Sequence, residues 1–159
     1  MSSEPHLLVI WHSRTGASEA MARAAAGDEA RLLRADATGP RDLIDAAAYV
    51  FVCPENLASM SGEMKEMFDT CYYPVLGQIE GRPYATIIAA GSDGEGAQRQ
   101  IDRIATGWRL KRVAEPMIVN FDAQTPEAIL AEKSPSDSIL AGCRELGASI
   151  REGVKLGIF

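Results

Sequence analysis

Along the chain, short unbroken apolar runs alternate with stretches whose apolar residues recur every three or four positions. Residues 6–11 contain the continuous run LLVIW, which has the length of a strand buried on both faces. Residues 18–26 are alanine-rich, with Ser18 placed to cap them and Glu19 in the first turn, and predict a helix. A weaker strand is predicted over 31–35, then a turn and a short helix starting at Pro40 or Arg41. YVFVC, 49–53, reads as another buried strand. Met60, Met64, Met67, Phe68 and Cys71 fall on one helical face, predicting a helix over about 62–71 with its methionines in the core. YATIIAA, 84–90, is a fourth strand. Ala97, Ile101, Ile104, Ala105 and Trp108 form a helical stripe. RVAEPMIVN, 112–120, is a fifth strand whose proline suggests an edge position or a bulge. Ile139, Cys143, Leu146 and Ile150 mark a terminal amphipathic helix.

Strands alternating with helices call for a parallel sheet covered on both faces, an α/β fold in three layers, α/β/α. The 159 residues suit one domain, 1–159, and the only linker-like stretch is 122–138. In such a sheet, ligands gather outside the carboxyl ends of the strands. Attention therefore falls on the loops after the first, third and fourth strands.

Composition narrows the partners. Sixteen Lys and Arg against 22 Asp and Glu leave a net charge of −6, which disfavours nucleic acid. The apolar runs are strand-sized and MSSEPH carries no basic leader segment, so no membrane span and a cytoplasmic location are expected. Three cysteines far apart, Cys53, Cys71 and Cys143, read as core thiols, without a disulfide framework or a metal site.

Loop 1, HSRTGAS, offers three hydroxyls around a glycine at the start of a helix, a pattern that serves equally as a capped turn or as an anion cradle. It is neither a Walker A loop nor GxGxxG. Loop 2, starting at Pro54, sets Asn56 and Ser59 beside apolar Leu57 and Met60, which suits a flat heteroaromatic ring. Loop 3, GSDGEG, has glycines that permit close backbone approach to a ligand, or simply a turn before a helix.

Two of these stretches carry a family resemblance. Ser13-Arg14-Thr15-Gly16-Ala17-Ser18-Glu19 resembles the S/T-x-T-G-x-S/T phosphate loop of flavodoxin-like proteins, which bind FMN. Residues 54–69, PENLASMSGEMKEMFD, resemble a segment of the NAD(P)H:quinone oxidoreductases and flavin reductases of that superfamily, including enzymes like the tryptophan-repressor-binding protein. The resemblance implies a flavodoxin-like five-stranded parallel sheet in the order 2-1-3-4-5. It implies Ser13, Arg14, Thr15, Gly16, Ala17 and Ser18 around the FMN phosphate. It places Pro54, Glu55, Asn56, Leu57, Ala58 and Ser59 along the isoalloxazine, with Gly91, Ser92, Asp93 and Gly94 on its other side. Ala58 departs from the family, which often has glycine there.

Loops 2 and 3 contain no Trp, Tyr or Phe over 54–60 and 91–96, whereas electron-carrying flavodoxins usually sandwich the flavin between aromatics. The expected activity is therefore hydride transfer from NAD(P)H through FMN to a quinone or similar acceptor. The alternative is a one-electron carrier for a redox protein partner. Small-molecule donor and acceptor are the expected partners, and a homodimer stays open. Trp11, Tyr72 and Tyr73 could still fold over the ring. His12 is expected to be solvated, its other reading being a proton donor to a quinol, and Arg109, Lys111 and Arg112 to face water at the end of a helix, their other reading being a 2′-phosphate site.

Overall fold

The computed structural model describes residues 4–159, so Met1 to Ser3 of the N-terminal segment lie outside it. Five strands form the parallel sheet's backbone: β1 (Leu7–Trp11), β2 (Arg31–Arg34), β3 (Ala48–Asn56), β5 (Pro83–Ala90) and a broken edge. That edge is β6 (Lys111–Arg112) and β7 (Met117–Asn120), both pairing in parallel with β5. Pro116, which cannot donate to the ladder, lies in the interruption, the physical source of the predicted edge or bulge. The order β2-β1-β3-β5-β6/β7 is the expected 2-1-3-4-5 order, with the fifth strand in two pieces. A further short strand, β4 (Ser59–Met60), turns back antiparallel on the end of β3. The total of seven strands among the described residues thus exceeds the expected five without altering the fold class.

Strand side chains alternate between the two helical layers. Leu8, Ile10, Tyr49, Phe51 and Cys53 pack under α2 (Pro40–Asp45), α3 (Gly62–Val75) and α4 (Glu95–Gly107). Met64, Met67, Phe68 and Cys71 of α3 lie in that cluster, as their spacing predicted, whereas Met60, expected on the same helical face, reaches it from the short strand before α3. Leu7, Val9, Val50, Val52 and Ile87 face α1 (Ala17–Ala26) and α6 (Asp137–Leu156). Between β7 and α6, the linker-like stretch contains α5 (Pro126–Leu130), capped by Thr125 Oγ1, which accepts from Ala128 N at 3.2 Å.

All three cysteines are buried and unpaired. Burial pushes the thiols up, Cys53 to about 12 and Cys71 and Cys143 to about 11, so none has the thiolate character of a redox nucleophile. Among the described residues, no helix is long and apolar enough to cross a membrane.

Candidate functional site

The three loops meet at the carboxyl edge of the sheet, where β1, β3 and β5 deliver the N-termini of α1, α3 and α4. Two of these helix ends begin alike: Gly16 before α1 has φ 100 and ψ −20, and Gly94 before α4 has φ 101 and ψ −19. That left-handed conformation suits glycine. Each helix end concentrates unpaired N–H groups and the positive pole of the helix.

What fills these poles differs. Glu55 carries its carboxylate to α4, where Oε1 accepts from Gly94 N at 2.8 Å and Oε2 from Ala97 N at 3.0 Å. Glu63, in the first turn of α3, places a carboxylate at that helix's own start. At α1 no side chain caps the helix, and the one acid of its first turn, Glu19, is drawn away to Arg23 at 2.8 Å. Ser18, expected as the cap, lies instead inside the first turn. It is 1 % exposed, and its Oγ has no hydrogen-bond partner. A buried hydroxyl without a partner costs roughly 1–3 kcal/mol, and here it stands in the first turn of α1, whose acid, Glu19, is held by Arg23. These observations fit a phosphate: an anion at α1 would do for that helix what Glu55 does for α4.

The rest of loop 1 is firmly built. Ser13 Oγ accepts from Gly16 N at 3.1 Å, and Thr15 O accepts from Lys133 N at 2.8 Å. Arg14 is exposed and reaches Glu63 at 3.3 Å. Ala17 is buried beneath the helix start.

Loop 2 is a two-residue hairpin closed by the Asn56–Ser59 pair. Its two central residues, Leu57 and Ala58, have φ of 55 and 63, the conformation for which such tight hairpins use Asn-Gly. Pro54 still pairs within the sheet, opposite Ala89. The hairpin is docked on α4. Ser59 Oγ donates to Gln100 Oε1 at 2.9 Å, Met60 N donates to the same oxygen at 2.7 Å, and a Cβ on Gly96 would stand only 2.1 Å from Ala58 O. Leu57 nevertheless remains fully exposed at the tip. Replacing Leu57-Ala58 by Asn-Gly is expected to stabilise the protein by about 1–2 kcal/mol, because left-handed backbone costs a non-glycine residue roughly that much per position. Urea denaturation of the double variant against wild type measures it.

Loop 3 lies against the chain after β7. Ser92 O accepts from Asn120 Nδ2 at 2.8 Å, and Asp93 Oδ1 accepts from Glu95 N at 3.4 Å. A Cβ on Gly91 would meet Ala123 O at 2.8 Å, and one on Gly94 would meet Ile118 Cγ2 at 2.4 Å. Both glycines are therefore required by the protein's own packing, whatever approaches the loop. All sixteen residues expected in the site are thus brought to one edge, with Glu55 turned toward α4.

Sequence reasoning missed a cluster beside loop 1. His12, expected to be solvated, is 5 % exposed. Its Nε2 lies 2.8 Å from Glu63 Oε2 and its Nδ1 2.9 Å from Ser61 Oγ. A carboxylate only accepts, so Nε2 carries the proton, and the neutral ring's Nδ1 accepts from the Ser61 hydroxyl. Burial lowers the His12 pKa from its ordinary 6.5, outweighing the opposite pull of Glu63. Burial alone would raise Glu63, but its own backbone N–H together with His12 and Arg14 brings it below 4.5. The contact spans 49 residues, so the only local sign was an acid just inside the helix, Ser61-Gly62-Glu63.

Because the fold favours neutral His12, its contribution to stability is complete above pH 6.5 and is lost as the pH falls toward the lowered folded value. Thermal melts between about pH 7 and 5 should show wild type losing more stability than His12→Gln, a variant without a group that titrates in that range. Parallel losses in the two proteins would contradict the assignment.

Tyr72 and Tyr73 lie away from the three loops, and Trp11, which adjoins loop 1 at the end of β1, is buried. Trp11 is buried in the α1/α6 layer with Arg34 over its ring at 5.4 Å. Tyr72 and Tyr73 stack on each other near the far end of α3, about 15 Å along the helix from its start. Lys111 pairs with Pro83, the first residue of β5, so Arg109, Lys111 and Arg112 sit at the opposite edge of the sheet. Arg112 is paired there with Asp102 at 3.3 Å. A cavity of about 450 Å³ also opens at that edge, beside Pro5, Ala46, Arg82 and Phe159. Its Arg82 guanidinium is already engaged by Ile44 O and Ala46 O, both at 2.6 Å. Among the described residues, no group of His, Cys, Asp or Glu is placed to hold a metal ion.

Sheet order, helical layers and converging loops define a flavodoxin-like fold. The chain superposes on an archaeal flavodoxin with a TM-score of 0.75 at 19% identity, covering 94% of this chain and 99% of that one. For a WrbA-like flavodoxin from Agrobacterium tumefaciens the TM-score is 0.77 at 18% identity, with 96% and 99% covered. For the rubredoxin oxygen:oxidoreductase of Desulfovibrio gigas it is 0.76 at 15% identity, covering 98% of this chain but 38% of that one. The model of the NADPH-dependent FMN reductase family matches residues 38–124, more than half of the chain, and the protein belongs to that family. No curated protein matches it.

Proposed function

We propose that the protein is an FMN-dependent oxidoreductase that passes hydride from NAD(P)H through bound FMN to a quinone or a similar acceptor. The observation that carries this reading is the α1 N-terminus, left uncapped with the buried Ser18 hydroxyl unpartnered, while Glu55 and Glu63 fill the neighbouring helix ends. FMN would supply the two-electron chemistry when bound. The chain's part is to hold the phosphate with the loop 1 amides and the Ser13, Thr15 and Ser18 hydroxyls. Loop 2 presents Leu57 at the tip of a strained hairpin, and such strain is commonly kept where a ligand is contacted. His12, buried with both ring nitrogens engaged, positions loop 1 and delivers no proton.

The absence of aromatic side chains from loops 2 and 3 favours an open ring face on which nicotinamide and acceptor can stack in turn. A second reading, a one-electron carrier docking a basic redox protein, has the net charge of −6 in its favour. Steady-state oxidation of NADPH and NADH by the FMN-loaded protein with a benzoquinone acceptor separates the two. Nicotinamide consumption with the parallel reciprocal plots of a ping-pong mechanism is expected. FMN-loaded protein that leaves both nicotinamides unoxidised would sink the enzyme reading in favour of the carrier.

A further inference from the structure

Arg14 is the one cation within loop 1, and in this structure it is turned to Glu63 at 3.3 Å. A guanidinium aligns its paired donors with one carboxylate or phosphate at a time, so a phosphate arriving at α1 would compete with Glu63 for Arg14. Glu63 cannot follow the arginine. It is anchored by His12 at 2.8 Å, and His12 is buried and held in turn by Ser61, which is 1 % exposed. Nor would the departure of Arg14 strand Glu63, because the His12 N–H and the start of α3 continue to support its charge. Arg14 itself is largely exposed, free to swing with little packing to lose.

We propose that Glu63 is a specificity-determining residue, a built-in competitor that holds Arg14 in the ligand-free protein and sets how strongly loop 1 prefers a phosphomonoester to the same ligand lacking its phosphate. This rests on the reading of α1 as the FMN phosphate site. It differs from that reading in assigning a role to a residue that need never touch the flavin.

The test titrates FMN and riboflavin into wild type, Glu63→Gln, Arg14→Ala and the double variant, following flavin fluorescence. Glutamine keeps an oxygen for His12 Nε2–H but loses the charge. Glu63→Gln should bind FMN about five- to tenfold more tightly and riboflavin unchanged. In the Arg14→Ala background the gain should shrink to about twofold or less, since contacting charges couple whereas independent ones add. A purely structural role for Glu63 would move the melting temperature and shift both flavins alike. If wild type binds FMN and Glu63→Gln binds it no better, or if the gain is the same without Arg14, the proposal is wrong and the phosphate site stands. If neither wild type nor Glu63→Gln distinguishes FMN from riboflavin, both fall.

Discussion

Gly147→Ala is expected to destabilise the protein by about 3 kcal/mol or more, at the upper end of the usual cost of overpacking. On α6, a Cβ at Gly147 would stand 1.8 Å from Ala25 O and 2.7 Å from Ala25 C. Those are main-chain atoms of α1, which cannot rotate aside, so the two helices must part. Parting them loosens the contact that covers Cys143 and Ile150, both buried. It also pulls at Arg151, whose Nη1 donates to Ala25 O and Ala26 O at 2.9 Å and closes the C-terminus of α1. A loss of that size is a large share of the roughly 5–15 kcal/mol of a typical domain. Chemical denaturation checks it, and a variant within about 0.5 kcal/mol of wild type would refute the packing described.

Ser13→Asp should leave the fold intact and remove FMN binding. Ser13 Oγ already accepts from Gly16 N at 3.1 Å, so an aspartate there would set a carboxylate against the loop from which the phosphate must be held. Glu55, reaching from β3 to the start of α4, is the natural precedent for such an internal anion. A carboxylate at a helix start contributes about 0.3–1 kcal/mol, so the melting temperature should hold or rise. Like-charge juxtaposition and the lost donor should weaken FMN at least about a hundredfold, roughly 2.7 kcal/mol, while riboflavin binding changes little. Unchanged FMN affinity would place the phosphate elsewhere.

Much of this architecture was legible from periodicity. The Met64 to Cys71 stripe and the continuous apolar strands are dictated by burial on both faces of a sheet, and the sheet order followed from the resemblance; Met60 matched the helical spacing only because the hairpin strand runs straight into α3. The three loops were legible as a set because the fold class places strand ends together. The cross-chain carboxylates were not. Glu55 and Glu63 act on groups 39 and 49 residues away, Gly94 and Arg14, and nothing local tells a capping acid from a solvated one. Ser18 was misplaced as the cap because the left-handed Gly16 takes that position, leaving the serine inside the first turn. His12 is a loop residue as expected, but buried and not solvated, because its burial depends on α3, whose start arrives only through the hairpin.

The most direct measurement is the affinity of the wild-type protein for FMN against riboflavin, two ligands that differ only in the phosphate. With α1 as the phosphate site, FMN should bind at least about a hundredfold more tightly, as charge-assisted hydrogen bonds from several donors imply. Equal affinities, or binding of neither, would contradict the account.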